Sequence, residues 1–114
     1  MLGFGVSVMV CWKLVRDRVG EELLGRSDVR VYRVGGEEYE ALLRAKIVEE
    51  ALELAGSGDV GEVADLFEAV YAWLRARGVG LEEVEAVRER KRKERGGFDG
   101  GYVVVWLRGC GGDG

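Results

Sequence analysis

The stretch KIVEEALELAGSGDVGEVADLFEAV, residues 46–70, constrains the fold more than any other. It reads as two helices joined by a glycine-rich turn, and a turn that short makes its helices antiparallel. At about 100° per residue, Leu43, Ile47 and Leu54 form one apolar stripe on the first helix. Glu50 falls inside that stripe, and Glu53 and Lys46 border it. The second helix carries two apolar faces, one with Val63, Ala64, Phe67, Tyr71 and Leu74, the other with Leu66, Ala69, Ala72 and Trp73. Glu62 and Asp65 flank Ala69 on the latter face. A helix apolar on two sides is sandwiched, so its acids are expected to face a partner helix.

A charge among core residues is costly unless something pairs with it. Four carboxylates converging between helices would have to be protonated or bound to a cation. Their hard oxygens suit Mg²⁺, Mn²⁺ or Ca²⁺. The chain has no histidine and only two cysteines, Cys11 and Cys110, so imidazole ligands, a zinc set and Ser-His or Cys-His catalysis are excluded. Either i,i+3 acid pair alone is what any solvated helix face carries. The joint pattern, with the wheel position of Glu50 and the tight turn, points to a site.

The rest of the chain fills in around this hairpin. With 114 residues, 47% apolar and 33% charged, one globular domain is expected, spanning 1–114. Helical spacing runs through KLVRDRVGEELLG, with Gly20 weakening it, then over Glu37–Ala55, Val60–Arg77 and Leu81 to about Glu94. Asp59 is placed to cap the second long helix and Gly78 to end it. The β-branched and alternating runs VRVYRV (29–34) and YVVVWL (102–107) predict short strands, the latter pairing with an apolar arm or strand at 1–12. The tail at 108–114 is expected to be flexible. The fold class is therefore mainly α: an antiparallel helix bundle with short N- and C-terminal strands.

Charge bounds the partners. Net charge is −4, with 13 acids against 4 bases from Glu37 to Glu85 and 8 acids against 13 bases elsewhere. An acidic middle between basic ends suits a cation plus a phosphate and gives no prior for nucleic acid. The N-terminal apolar run of 12 residues is shorter than the roughly 20 a membrane span needs, and its basic residues follow it instead of preceding it. No membrane partner is expected, and two free thiols suit a reducing cytoplasm. Two apolar faces on one helix predict a homo-oligomer, a homodimer or homotetramer.

Glu49-Glu50-x-x-Glu53 followed by Glu62-x-x-Asp65 resembles the all-α nucleoside triphosphate pyrophosphohydrolases, which include the MazG-like proteins and phosphoribosyl-ATP pyrophosphohydrolase. KLVRDRV (13–19) resembles the opening of a small MazG-related group, and KRKERGGFDGGYVV (91–104) resembles its K-x-x-x-R-G-G-F ending. The resemblance implies a Mg²⁺-dependent hydrolase, Mn²⁺ also serving, that cleaves a nucleoside triphosphate between its α- and β-phosphates. It implies Glu50, Glu53, Glu62 and Asp65 as metal ligands, with Glu49 and Glu50 catalytic and Glu49 orienting or deprotonating the attacking water. Lys13, Arg16, Lys46, Lys91 and Arg95 are candidates for the substrate phosphates. Lys46 serves equally as a salt-bridge partner of Glu50 or Glu53, and the run RERKRKER (88–95) also suits a solvated, dipole-complementing helix end. The readings weighed are a house-cleaning nucleotide pyrophosphatase, a phosphoribosyl-ATP hydrolase, and a non-catalytic helical module that assembles through its apolar faces.

Overall fold

A computed structural model describes residues 12–110 and resolves the chain into two compact units, Met1–Leu81 and Glu82–Gly114. Four α-helices make up the regular structure of the described residues: α1 Asp17–Leu23, α2 Gly36–Ser57, α3 Val60–Arg77 and α4 Leu81–Arg95. The chain is mainly helical, as its periodicity requires.

In the first unit α2 and α3 pack on each other. The pairing is antiparallel. Glu40 near the start of α2 accepts a hydrogen bond from Trp73 Nε1 near the end of α3, at 2.9 Å, while carboxylate oxygens of Glu50, past the middle of α2, and Glu62, early in α3, lie within 4.8 Å of each other. Two residues make the reversal. Gly58 adopts the left-handed conformation at φ 66° and donates its N–H to Leu54 O at 2.8 Å. Asp59 then caps α3, its Oδ1 accepting from Gly61 N at 3.1 Å. Gly78 closes α3 at φ 70°, and the next N–H, of Val79, returns to Leu74 O at 3.0 Å.

Among the described residues three apolar side chains are buried: Leu43 of α2 and Ala69 and Leu74 of α3. On α3 Ala69 of one apolar face and Leu74 of the other are both buried, whereas Val60 is 81% exposed and Phe67 50% exposed. Trp73 serves as a tie between the helices, its ring covered by the Arg77 guanidinium 5.2 Å from its centroid.

Two expectations are corrected. The first helix begins at Asp17, not near Lys13, because residues 13–16 reach across to α2 and α3 through Lys13 and Arg16 instead of closing a helical turn. Neither short strand forms among the described residues. Residues 29–34 are irregular, with Tyr32 accepting from Trp12 Nε1 at 2.5 Å, and residues 102–107 show only an isolated bridge between Leu107 and Gly109. β-propensity gives a strand only where a ladder partner exists, and a lone pair of short strands is marginal in water. The expected partner arm, at 1–11, lies outside the described residues, as do Cys11 and residues 111–114 of the tail. In the second unit α4 starts acidic and ends basic, and Arg88 is ion-paired to Glu85 and Glu89. The described part of its C-terminal segment is exposed, with Phe98 at 92% and Tyr102 at 98%. No described helix is long and apolar enough to cross a membrane.

The turn can be tested with two alanines of opposite sign. A Cβ at Gly58 meets no atom, so Gly58→Ala carries only the left-handed backbone cost and should lower stability by about 1 kcal/mol. Gly61 sits in the first turn of α3 with an ordinary φ and room for a Cβ, so Gly61→Ala should raise it by about 0.5–1 kcal/mol. Urea melts of the two variants check both signs.

Candidate metal centre

α2 and α3 bring acids together across the hairpin. One carboxylate oxygen from each of Glu50, Glu62 and Asp65 lies within 4.8 Å of the others. Glu50 is 6% exposed although it is an acid, so the apolar stripe of α2 does point it inward. Its Oε2, and Oε2 of Glu62, are buried without a hydrogen-bond partner. Such oxygens are costly, and a native fold rarely leaves them so. Glu53 is half-buried, and its charge acts on Glu62.

The electrostatics follow from that crowding. Burial pushes the Glu50 carboxyl up, and the negative charges of Glu53 and Asp65 add to it, while Lys46 opposes. Burial likewise raises Glu62, together with the charges of Glu53, Glu50 and Asp65. Both acids therefore hold a proton more readily than a solvated glutamate does.

Three cations answer this charge. Lys46 Nζ lies 3.3 Å from Glu50 Oε1 and 3.4 Å from Glu49 Oε2, and so takes the salt-bridge role expected of it. Lys13 Nζ reaches Glu49 Oε1 at 3.5 Å from 36 residues away. Arg16 Nη2 reaches Asp65 Oδ1 at 2.6 Å. Lys13 and Arg16, expected at the substrate phosphates, are thus held in the structure by carboxylates of the same region. Lys91 and Arg95 lie exposed on α4, in the other compact unit.

Spacing alone missed the burial of Glu49, which is 8% exposed. On the wheel it lies outside the stripe of Leu43 and Ile47. It is covered because the segment ahead of α1 folds over that side of α2, where Leu14, Leu42, Ala45, Val48 and Leu52 line a small groove. None of Glu50, Glu62 and Asp65 lines it, so the two neighbouring glutamates face different surroundings. Glu40 was missed as well. It ties Trp73, Arg44 and Arg77 to one carboxylate, and no spacing rule links residues 33 apart.

The donor set fits a hard divalent cation. It offers only carboxylate oxygens, two of them buried and unbonded, gathered from facing helices. Four carboxylates, Glu50, Glu53, Glu62 and Asp65, stand against Arg16 and Lys46, leaving two formal negative charges, the charge one such ion neutralises.

Stability should therefore fall as pH rises. An acid held above its ordinary value contributes nothing where folded and unfolded states are both protonated, and it costs stability as pH climbs from the ordinary glutamate range through the raised value. Thermal melts without divalent ions from about pH 5 to about pH 8 should show this decline. Glu50→Gln should flatten it, and a divalent ion held by these acids only in the folded state, with millimolar Mg²⁺ as the probe, should raise the melting temperature most at the upper end. A pH-independent melt, unmoved by Mg²⁺, would show the acids to be solvated. Comparisons of the chain with protein-family models, with curated proteins and with solved structures give no match.

Proposed function

We propose that this chain is a Mg²⁺-dependent nucleoside triphosphate pyrophosphohydrolase of the all-α type, acting on non-canonical nucleotides in the cytoplasm, with Mn²⁺ able to replace Mg²⁺. The observation that carries the reading is the pair of buried, unbonded oxygens of Glu50 and Glu62 within a carboxylate cluster between α2 and α3. The resemblance of KLVRDRV, E-E-x-x-E, E-x-x-D and K-x-x-x-R-G-G-F to that superfamily supports the choice of reaction.

In this reading Glu50, Glu62 and Asp65 hold the ion, with Glu53 beside them. The bound ion supplies charge neutralisation on phosphate oxygens and makes a water more acidic. By the resemblance Glu49 would orient or deprotonate the attacking water, and its carboxylate is held by Lys13 and Lys46. Lys46 also limits repulsion at Glu50. Lys13, Arg16 and Lys46 serve the triphosphate as charge-assisted donors. One phosphoanhydride P–O bond breaks, water adds its oxygen, and monophosphate and pyrophosphate leave.

The decisive assay is pyrophosphate release from a panel of canonical, damaged and phosphoribosyl-modified nucleotides, with and without Mg²⁺. Glu50→Gln and Asp65→Asn, each nearly isosteric, should lower the rate by on the order of 100-fold or more while the protein stays folded. Glu83→Gln, on the exposed surface of α4, should leave it unchanged. Full activity in Glu50→Gln, or release without divalent ions, would remove the site from the chemistry.

The reading includes a homodimer or homotetramer, supported by exposed Val60 and Phe67 on α3 and exposed Val48 on α2. Sedimentation equilibrium at micromolar concentration should give a dimer or larger species. A monomer there would count against assembly and also against a purely structural helical module.

A further inference from the structure

One contact is not accounted for by a cation site alone. Arg16 Nη2 stands 2.6 Å from Asp65 Oδ1, bringing a residue ahead of α1 onto a member of the carboxylate triad 49 positions away. A guanidinium and a divalent cation compete for the same carboxylate. Each weakens the hold of the other, and the more weakly held of the two gives way.

The surroundings say which. The Arg16 side chain is 55% exposed and that of Asp65 41%, so the pair is well solvated and worth only a few-fold in an equilibrium constant. Arg16 is also the residue before α1, where its side chain caps nothing. Lys46 differs on each count. Its side chain is 19% exposed, it contacts both Glu49 and Glu50, and it rises from α2 itself. Lys46 is built to remain and Arg16 to leave. Glu50, buried with an unbonded Oε2, gives the ion a reason to bind that does not depend on Arg16.

We propose that Arg16 is a displaceable internal counter-ion of this site. It holds Asp65 in the absence of a divalent cation, gives up that oxygen when the cation binds, and then meets an anionic ligand bearing phosphate oxygens at the same place. Cation and anion binding are then coupled through one side chain. The empty site is protected from self-repulsion, and a binding cation frees a planar five-donor group beside itself. This rests on the cation reading of Glu50, Glu62 and Asp65.

The test uses the full chain with Mn²⁺ alone and with inorganic phosphate. Free Mn²⁺ is followed by electron paramagnetic resonance during titration of wild type, Arg16→Gln and Arg16→Lys. Removing the competing charge should tighten Mn²⁺ binding in Arg16→Gln by about two- to five-fold, with Arg16→Lys close to wild type. At saturating Mn²⁺, calorimetric titration with inorganic phosphate should give the opposite sign, Arg16→Gln binding at least about five-fold more weakly. A merely structural arginine would move both affinities in the same direction. Arg16→Met carries the same test should Arg16→Gln fail to fold. Equal or weaker Mn²⁺ binding in the neutral variants, or unchanged phosphate binding, overturns the counter-ion role while leaving the cation site standing. Failure of every form, wild type included, to bind Mn²⁺ overturns the cation site and this role with it.

Discussion

The interaction on which the structure turns is the meeting of like charges across the α2–α3 hairpin. Glu50 enters from the apolar stripe of α2, and Glu62 and Asp65 enter from the face of α3 beside buried Ala69. The two helices cannot close on one another without deciding what becomes of that charge. Lys46 takes part of it from within α2, and Lys13 and Arg16 take more from the segment ahead of α1. That segment is consequently drawn onto the hairpin, and α1 begins only at Asp17.

Such an arrangement is not the most stable use of these positions. The hairpin buries few apolar side chains, Leu43, Ala69 and Leu74, and two of the three buried residues of α2 are acids, Glu49 and Glu50. Replacing buried ionic groups by apolar residues of similar volume is commonly neutral or stabilising by about 1–4 kcal/mol. Carboxylates kept in so small a core trade stability for something else, which is the usual signature of a functional site. The raised proton affinity of Glu50 and Glu62 is the electrostatic form of the same trade.

What the sequence made legible is whatever depends on one helix at a time. α3 runs over Val60–Arg77 as its periodicity indicates, between an Asp59 cap and a left-handed Gly78. Glu50 is buried as the wheel of α2 requires. Features that depend on a second segment were not legible. Glu49 is buried by a strand of chain 36 residues earlier, and Asp65 is met by Arg16 from 49 residues away. The apolar run at 102–107 has every local mark of a strand and forms none, since a strand is defined by its neighbour and no ladder is present among the described residues. Glu53 stands between these cases: its spacing put it with the cluster, and its charge is felt there by Glu62.

The most direct test of the central claim is where a divalent ion sits. Crystals grown with Mn²⁺ and measured at its absorption edge should give one strong anomalous peak per chain or more between α2 and α3, within about 2.0–2.4 Å of oxygens from Glu50, Glu62 and Asp65. The Asp65 oxygen should then no longer be in contact with Arg16. Anomalous peaks confined to other surface carboxylates, with Arg16 still on Asp65 and Lys46 still on Glu50, would contradict the account and leave the hairpin acids as an internally neutralised structural network.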